Sequence, residues 1–111
     1  MAWVFKINDP EYVRICMEKT YMEMDEDELE YIKEREAEYY VPKIKEMLNN
    51  GTPEFEVYAH VMDLYMDYEI ADDDYILDAA GIFDKFCRSY NAYDKAKEFY
   101  MADGYVNPLK D

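Results

Sequence analysis

Residues 52–69 of the chain are TPEFEVYAHVMDLYMDYE, and this stretch decides the fold. Thr52, Pro53 and Glu54 are typical of a helix N-terminus, as cap, first helical position and first-turn acid. The residues that follow form two apolar faces, and a helix that is apolar around most of its circumference is usually central to a core. One polar stripe remains on this predicted central helix, and we expect it to face solvent. Its members are Glu56, His60, Asp63 and Asp67.

Two helices are expected before the central one. The first begins at Asp9, an N-cap residue followed by proline, and its apolar stripe extends to about Met22. The second begins within residues 25–28, four acids that suit the positive end of a helix dipole. Pro42 lies inside the second pattern and predicts a kink or break there, before the helix ends at residues 49–51.

Two more helices are expected after the central one. The fourth begins at residues 72–74 and extends to about Tyr90, with Gly81 in its interior. A close helix–helix crossing is one reason to keep a glycine there, since it costs about 1 kcal/mol against alanine. The fifth helix covers residues 92–103 after a bend and is capped by Gly104.

Length and composition favour one small helical domain. A chain of 111 residues has the usual size of a single domain, and half of its residues are apolar or aromatic. Three glycines and four prolines are few for the turns of a many-stranded β fold. The predicted fold is all-α: a compact bundle of four to five helices with a short N-terminal extended arm at residues 1–8, in a single acidic domain of residues 1–111.

The sequence contains no candidate membrane span or signal peptide. The longest stretch without a charged residue has seven residues, whereas a spanning helix needs about 20 apolar ones. The apolar start of the chain is ended at once by Lys6 and Asp9. We expect a cytoplasmic protein of a bacterial or phage-infected host cell, in which Cys16 and Cys87 are buried free thiols.

The residue types that catalysis or metal binding requires do not cluster in the sequence. His60 is the single histidine, and we expect it to lie among acids in solvent with a raised pKa. Residues 72–74 suggest a calcium loop, but apolar residues occupy the later positions where an EF-hand needs oxygen ligands and glycine. Helix capping is the favoured explanation of these aspartates, with casual Mg²⁺ or Ca²⁺ binding as the alternative. We expect no enzymatic activity, no metal site and no cofactor.

The negative charge is concentrated in the middle of the chain. The formal net charge is −15, and residues 46–84 contain 11 acids but no lysine or arginine. The pairs Asp63–Asp67 and Asp74–Asp78 are four residues apart on predicted helices, where like charges destabilise by about 0.2–0.5 kcal/mol. If the charge served solubility alone, the acids would not need to be concentrated in one part of the chain without lysine or arginine. We therefore expect the acidic surface to have a function.

An acidic surface repels nucleic acid and anionic membranes and attracts basic proteins. Helix carboxylates three or four residues apart, about 5–6 Å from each other, present an anionic surface to a site that holds phosphates. In size, charge and helicity the chain is similar to phage-encoded anti-defence proteins, including anti-CRISPR proteins and DNA mimics, although it shares no motif with them. We therefore expect an inhibitor that binds the basic, nucleic-acid-binding surface of a target protein.

The predicted partner-binding residues are acids in two patches, together with one tyrosine. The first patch consists of Glu56, Asp63, Asp67, Glu69, Asp72, Asp73, Asp74 and Asp78. The second patch consists of Asp25, Glu26, Asp27, Glu30 and Glu34. The chain has 13 tyrosines, a residue type enriched at protein interfaces, and Tyr75 is assigned to the binding surface. Tyr12, Tyr58, Tyr65 and Tyr90 fit apolar helix faces and are expected in the core.

Two other functions remain open from the sequence. An immunity protein or antitoxin that neutralises a basic toxin would use the same acidic chemistry, and a neighbouring toxin gene would identify it. A non-catalytic helical adaptor would bind through tyrosine and apolar surface, and its binding would survive high salt. If the rest of the chain leaves the second apolar face of the central helix uncovered, that face would form a homodimer or partner interface.

Overall fold

Five α-helices and two short 3₁₀ helices make up the described part of the computed structural model, residues 6–83 and 92–110, which contains no strand. The α-helices are α1 (Pro10–Glu18), α2 (Glu26–Asn49), α3 (Glu54–Met66), α4 (Asp73–Ala79) and α5 (Ala92–Tyr100). The first and second 3₁₀ helices are Tyr21–Glu23 and Pro108–Lys110. The predicted all-α fold is confirmed. Most of the predicted N-terminal arm lies outside the described residues.

Aspartate side chains start three of these helices. Asp9 caps α1 by accepting a 3.0 Å hydrogen bond from the backbone N–H of Tyr12. Asp25 caps α2 in a capping box, and Asp72 caps α4. Helix α3 differs, because its N-cap residue is Pro53 and no side chain caps it, so the predicted cap at Thr52 is wrong.

Helix α3 lies at the centre of the bundle, as the sequence predicts. It contacts α2, α4, α5 and the second 3₁₀ helix. One face packs into the main core with α2 and α4, while the opposite face packs against Ala92 and Ala96 of α5. The buried apolar residues of α3 are Val57, Tyr58, Ala59, Val61, Met62 and Leu64. Most of its second apolar face is therefore covered within the chain, which removes the argument for a homodimer through that face.

Before α3, the predicted end of the first helix and the predicted break at Pro42 are wrong. Helix α1 ends at Glu18, because Lys19 takes an extended conformation and Thr20 begins the first 3₁₀ helix, which leaves Met22 fully exposed. Helix α2 continues without a break through Pro42. The proline is exposed, while Tyr40 and Ile44 on either side of it are buried in the core, so packing holds the helix together across the proline.

The chain after α3 also departs from the expected boundaries. Helix α4 ends at Ala79 instead of continuing through Gly81, which has φ +82° and terminates it in a left-handed conformation. Within residues 6–83 and 92–110, no atom lies within 4 Å of the position that a Cβ at Gly81 would take, so no close crossing with a described helix requires this glycine. Helix α5 ends at Tyr100, and Gly104 follows with φ +83°. Cys87 and Tyr90, which the sequence places on the fourth helix, lie outside the described residues.

Three further surface predictions can be compared with the structure. Tyr65, expected in the core, is 41% exposed, whereas Tyr12 and Tyr58 are buried as expected. Cys16 is a free thiol and is half-buried. None of the described helices combines the length and the apolar character needed to cross a bilayer.

Candidate functional site

The C-terminal residues 105–110 lie across the polar stripe of α3. The Tyr105 hydroxyl is 2.6 Å from Nδ1 of His60, and Nδ2 of Asn107 donates to the backbone oxygen of His60 at 3.0 Å and to Oδ2 of Asp63 at 2.9 Å. As a result His60 and Asp63 are buried. The expectation that this stripe faces solvent is wrong for His60 and Asp63, which the tail covers, whereas Asp67 is exposed.

His60 is a packed residue rather than a solvated one. Its ring lies against the rings of Phe99 and Tyr105. Burial lowers the pKa of His60, and this effect outweighs the nearby charges of Glu56 and Asp63. The predicted rise in the pKa of His60 is therefore wrong, since burial disfavours the charged imidazolium.

Lys110 neutralises two acids that the sequence leaves uncompensated. Its Nζ is 3.2 Å from Oδ2 of Asp63 and also forms an ion pair with Asp67. The like-charge argument from Asp63 and Asp67 is wrong, because a lysine far away in sequence lies between their carboxylates. These two acids belong to the C-terminal contact, and Asp63 offers little surface to a partner.

The acids of the α2 patch remain largely free. Glu26, Asp27 and Glu30 are exposed and form no ion pair with any residue in ranges 6–83 and 92–110. Glu34 is half-exposed, with its Oε2 3.7 Å from the guanidinium of Arg35. Asp25 serves as the cap of α2. Most of this predicted patch is thus available to a partner.

One ion pair joins α2 to the acids at the start of α4. Nζ of Lys33 lies 3.3 Å from Oδ2 of Asp72, and helices α2 and α4 pack against each other. The structure therefore places Asp72 beside Lys33, which lies one residue before Glu34 on α2. We call the combined set the acidic surface. It consists of Glu26, Asp27, Glu30 and Glu34 of α2 with Asp72, Asp73, Asp74 and Asp78 at α4.

The carboxylates at the start of α4 repel one another. The pKa of Asp73 is raised by partial burial and then by the charge of Asp74. The pKa of Asp74 is raised in the same way, with Asp72 as the neighbouring charge. Burial is the larger cause of both shifts, and the neighbouring aspartates add to it, since burial and like charges both disfavour the charged carboxylate.

Asp72, Asp73 and Asp74 are the one group in the described ranges that could hold a metal ion. Their ligand oxygens all lie within 4.8 Å of one another. Oδ1 of Asp72, however, accepts the backbone N–H of Asp74 at 2.9 Å, and Oδ2 of Asp72 faces Lys33. Capping, the favoured explanation from the sequence, is confirmed for Asp72.

The remaining predicted site residues occupy separate positions. Glu56 is half-buried on α3, and Glu69 is exposed in the loop between α3 and α4. Tyr75 is exposed on α4, one residue after Asp74, so it adjoins the acidic surface as expected.

Glu36 is a buried carboxyl group that the sequence patterns did not predict. It is 1% exposed and accepts hydrogen bonds from the Tyr12 hydroxyl at 2.7 Å, the Tyr21 hydroxyl at 3.0 Å and the Ala71 N–H at 2.8 Å. Burial raises its pKa to about 7, although these hydrogen bonds lower it in part. The sequence does contain one indication of its burial, because Glu36 lies four residues from both Ile32 and Tyr40, on the apolar face of α2.

Comparison with known proteins adds no relative. No protein-family model matches the chain, and neither a curated protein nor a solved structure is similar to it.

Proposed function

We propose that the chain is a non-catalytic inhibitor that binds the basic, nucleic-acid-binding surface of a target protein through its acidic surface. The observation that carries the proposal is the cluster of negative charge at the start of α4, where the carboxylate oxygens of Asp72, Asp73 and Asp74 lie within 4.8 Å of one another and repel. A lysine- or arginine-bearing partner would relieve this repulsion on binding. We place the interaction in the cytoplasm of a bacterial or phage-infected cell.

The distribution of ion pairs supports this choice of surface. Where acids of α3 approach each other, the fold supplies Lys110 between them. At the acidic surface the described residues supply Lys33 to Asp72 and Arg35 to Glu34, and none of the lysines and arginines among them pairs with Asp73, Asp74 or Asp78. Charges left exposed and uncompensated steer association with an oppositely charged protein and make it sensitive to salt.

The geometry of the acidic surface also supports competition with nucleic acid. Asp27, Glu30 and Glu34 are spaced three and four residues apart along α2, and such side chains are neighbours about 5–6 Å apart on a helix. The helix is 24 residues long and is tied to α4 by the Lys33–Asp72 ion pair. A rigid row of carboxylates is a suitable ligand for a groove that binds phosphates.

The test compares the natural chain with a variant in which the acidic surface is neutralised. The variant carries Glu30→Gln, Glu34→Gln, Asp73→Asn and Asp74→Asn. A matched control changes four exposed acids elsewhere, Glu46→Gln, Asp94→Asn, Glu98→Gln and Asp103→Asn, and so has the same net charge. Circular dichroism melts establish that all three proteins are folded.

Each tagged protein is used to capture partners from a bacterial lysate at about 0.1 M and about 0.5 M salt. We expect the natural chain and the control to capture a nucleic-acid-binding protein at low salt and to release it at high salt or on addition of DNA or RNA. The neutralised variant should capture none of it. Equal capture by the neutralised variant, or retention of the partner at high salt, would contradict the proposal.

A further inference from the structure

Exposed tyrosine and methionine side chains cluster where α3 ends. Tyr65 and Met66 form the end of α3, and the N–H of Tyr68 donates to the carbonyl oxygen of Tyr65 at 3.2 Å. The hydroxyl of Tyr93 on α5 lies 3.9 Å from Sδ of Met66. We call Tyr65, Met66, Tyr68 and Tyr93 the tyrosine patch. All four are exposed, and Tyr68 has 82% of its surface in solvent.

Neither packing nor backbone preference explains a tyrosine at position 68. Its φ is +60°, the one positive value among the non-glycine residues described, at the position after a helix where glycine or asparagine is usual. The N–H of Glu69 donates to the carbonyl oxygen of Leu64, which closes the helix end around this residue. Glycine would fit this backbone with less strain, so the side chain is expected to have a use outside the fold.

Negative charge surrounds the tyrosine patch. Asp67 and Glu69 flank Tyr68 in the chain, and both are exposed, with Asp67 paired to Lys110. Burial raises the pKa of Tyr58 on α3, and the charges of Asp73, Asp74 and Tyr93 raise it further. Exposed acids next to the tyrosine patch suit a cationic ligand.

The chain itself shows how a tyrosine ring and a carboxylate together hold a guanidinium group. On α2 the guanidinium carbon of Arg35 lies 5.1 Å from the centre of the Tyr31 ring. Nη2 of the same arginine donates to Oε1 of Glu38 at 2.9 Å. Ring and carboxylate thus bind one arginine together. The tyrosine patch presents the same two groups, ring and carboxylate, toward solvent.

We propose that the tyrosine patch receives arginine side chains from the basic surface of the partner protein, in preference to lysine. An arginine stacks its planar guanidinium on tyrosine while its N–H groups reach a carboxylate, whereas a lysine ammonium is a compact and strongly hydrated charge. The inference rests on the proposed function, which requires a basic partner, and adds the residue type that the partner contributes.

The experiment measures the affinities of deca-arginine and deca-lysine peptides by isothermal titration calorimetry at low salt. We expect the natural chain to bind deca-arginine about fivefold more tightly than deca-lysine. Tyr68→Ala should weaken deca-arginine binding by about two- to fivefold and leave deca-lysine binding unchanged. Tyr68→Phe keeps the ring and should retain the preference. Met22→Ala, which removes an exposed side chain elsewhere, is the control.

The outcomes separate this inference from the proposed function. Equal affinities for the two peptides, or no effect of Tyr68→Ala, would overturn the arginine preference. If binding of both peptides is then lost in the variant with a neutralised acidic surface, the proposed function still stands. If the natural chain binds neither peptide, the inference is overturned, and capture from lysate alone decides the proposed function.

Discussion

The hydroxyl of Tyr12 donates a 2.7 Å hydrogen bond to the carboxyl group of Glu36, and both residues are buried although 24 positions separate them. The same carboxyl group also accepts from Tyr21 and from the backbone of Ala71. One acid thereby connects α1, the first 3₁₀ helix, α2 and the segment before α4. A buried acid that accepts three hydrogen bonds has consequences that can be measured.

The first prediction concerns pH. Burial raises the pKa of Glu36 from 4.5 to about 7, so the folded protein binds this proton more tightly than the unfolded chain does. The resulting stabilisation is fully present below about pH 4.5 and is lost as the pH rises through about 7, an effect on the order of 3 kcal/mol. Urea denaturation from about pH 5 to about pH 8 measures it as the free energy of unfolding relative to Glu36→Gln.

The comparison with Glu36→Gln isolates this group from His60. Because the pKa of His60 is lowered, its titration acts in the opposite direction, and stability rises with pH toward 6.5. His60 is present in both proteins, so its effect cancels in the difference. Parallel pH profiles for the two proteins would show that Glu36 does not titrate in this range.

A second prediction concerns Asn107, whose side chain donates to Asp63 and to the carbonyl oxygen of His60. Asn107→Ala leaves buried acceptors without this donor and should lower the free energy of unfolding by about 1–3 kcal/mol. Asn49→Ala, at an exposed helix end, is the matched control and should change it by less than about 0.5 kcal/mol. Similar losses for the two variants would argue against the tail contact.

A third prediction separates the buried and exposed sides of the C-terminal tail. Leu109 is 1% exposed and belongs to the main core, whereas Val106 is 69% exposed. Leu109→Ala should cost about 2–5 kcal/mol in chemical denaturation, because it leaves a cavity in the core. Val106→Ala should be nearly neutral. A small cost at Leu109 would mean that the tail is not part of the core in solution.

A fourth prediction concerns Lys33, the lysine that pairs with Asp72. Lys33→Gln removes a positive charge from the acidic surface and should strengthen the binding of deca-lysine by about two- to fivefold at low salt. Lys45→Gln makes the same change in net charge at an exposed site near the end of α2. Calorimetric titrations that show an equal gain for both variants would assign the effect to net charge alone.

A fifth prediction follows from the backbone at Tyr68. Tyr68→Asn should stabilise the fold by about 0.5–1 kcal/mol, because asparagine adopts a positive φ more readily and the exposed ring buries little surface. Tyr65→Asn, within α3, should destabilise it. Thermal melts measure both. A loss of stability in Tyr68→Asn would mean that the tyrosine ring contributes to the fold.

Local signals in the sequence predicted local structure well. The caps at Asp9 and Asp72 and the start of α2 within residues 25–28 follow from local residue types, and they depend on atoms within three residues. The position of α3 at the centre followed from its two apolar faces. Pro42 and Thr52 are exceptions, because the core contacts of the neighbouring residues decided the outcome at Pro42, and Pro53 takes the cap position expected at Thr52.

The candidate site was predicted in composition but not in arrangement. The acids of α2 and α4 were identified, yet their proximity depends on the Lys33–Asp72 contact between two helices. Asp63 and Asp67 were assigned to the binding surface because Lys110 is more than 40 residues away in the chain. Tyr68 carried no sequence signal, since its role depends on a positive φ and on exposure.

The sequence by itself determined the helical class, the central place of α3 and the excess of negative charge, because periodicity, capping and composition act within a few residues. The tertiary structure alone decided which charges are compensated. Burial and pairing depend on distances between residues far apart in the chain, and those distances set the pKa of Glu36, cover His60 with the tail and leave the acidic surface open.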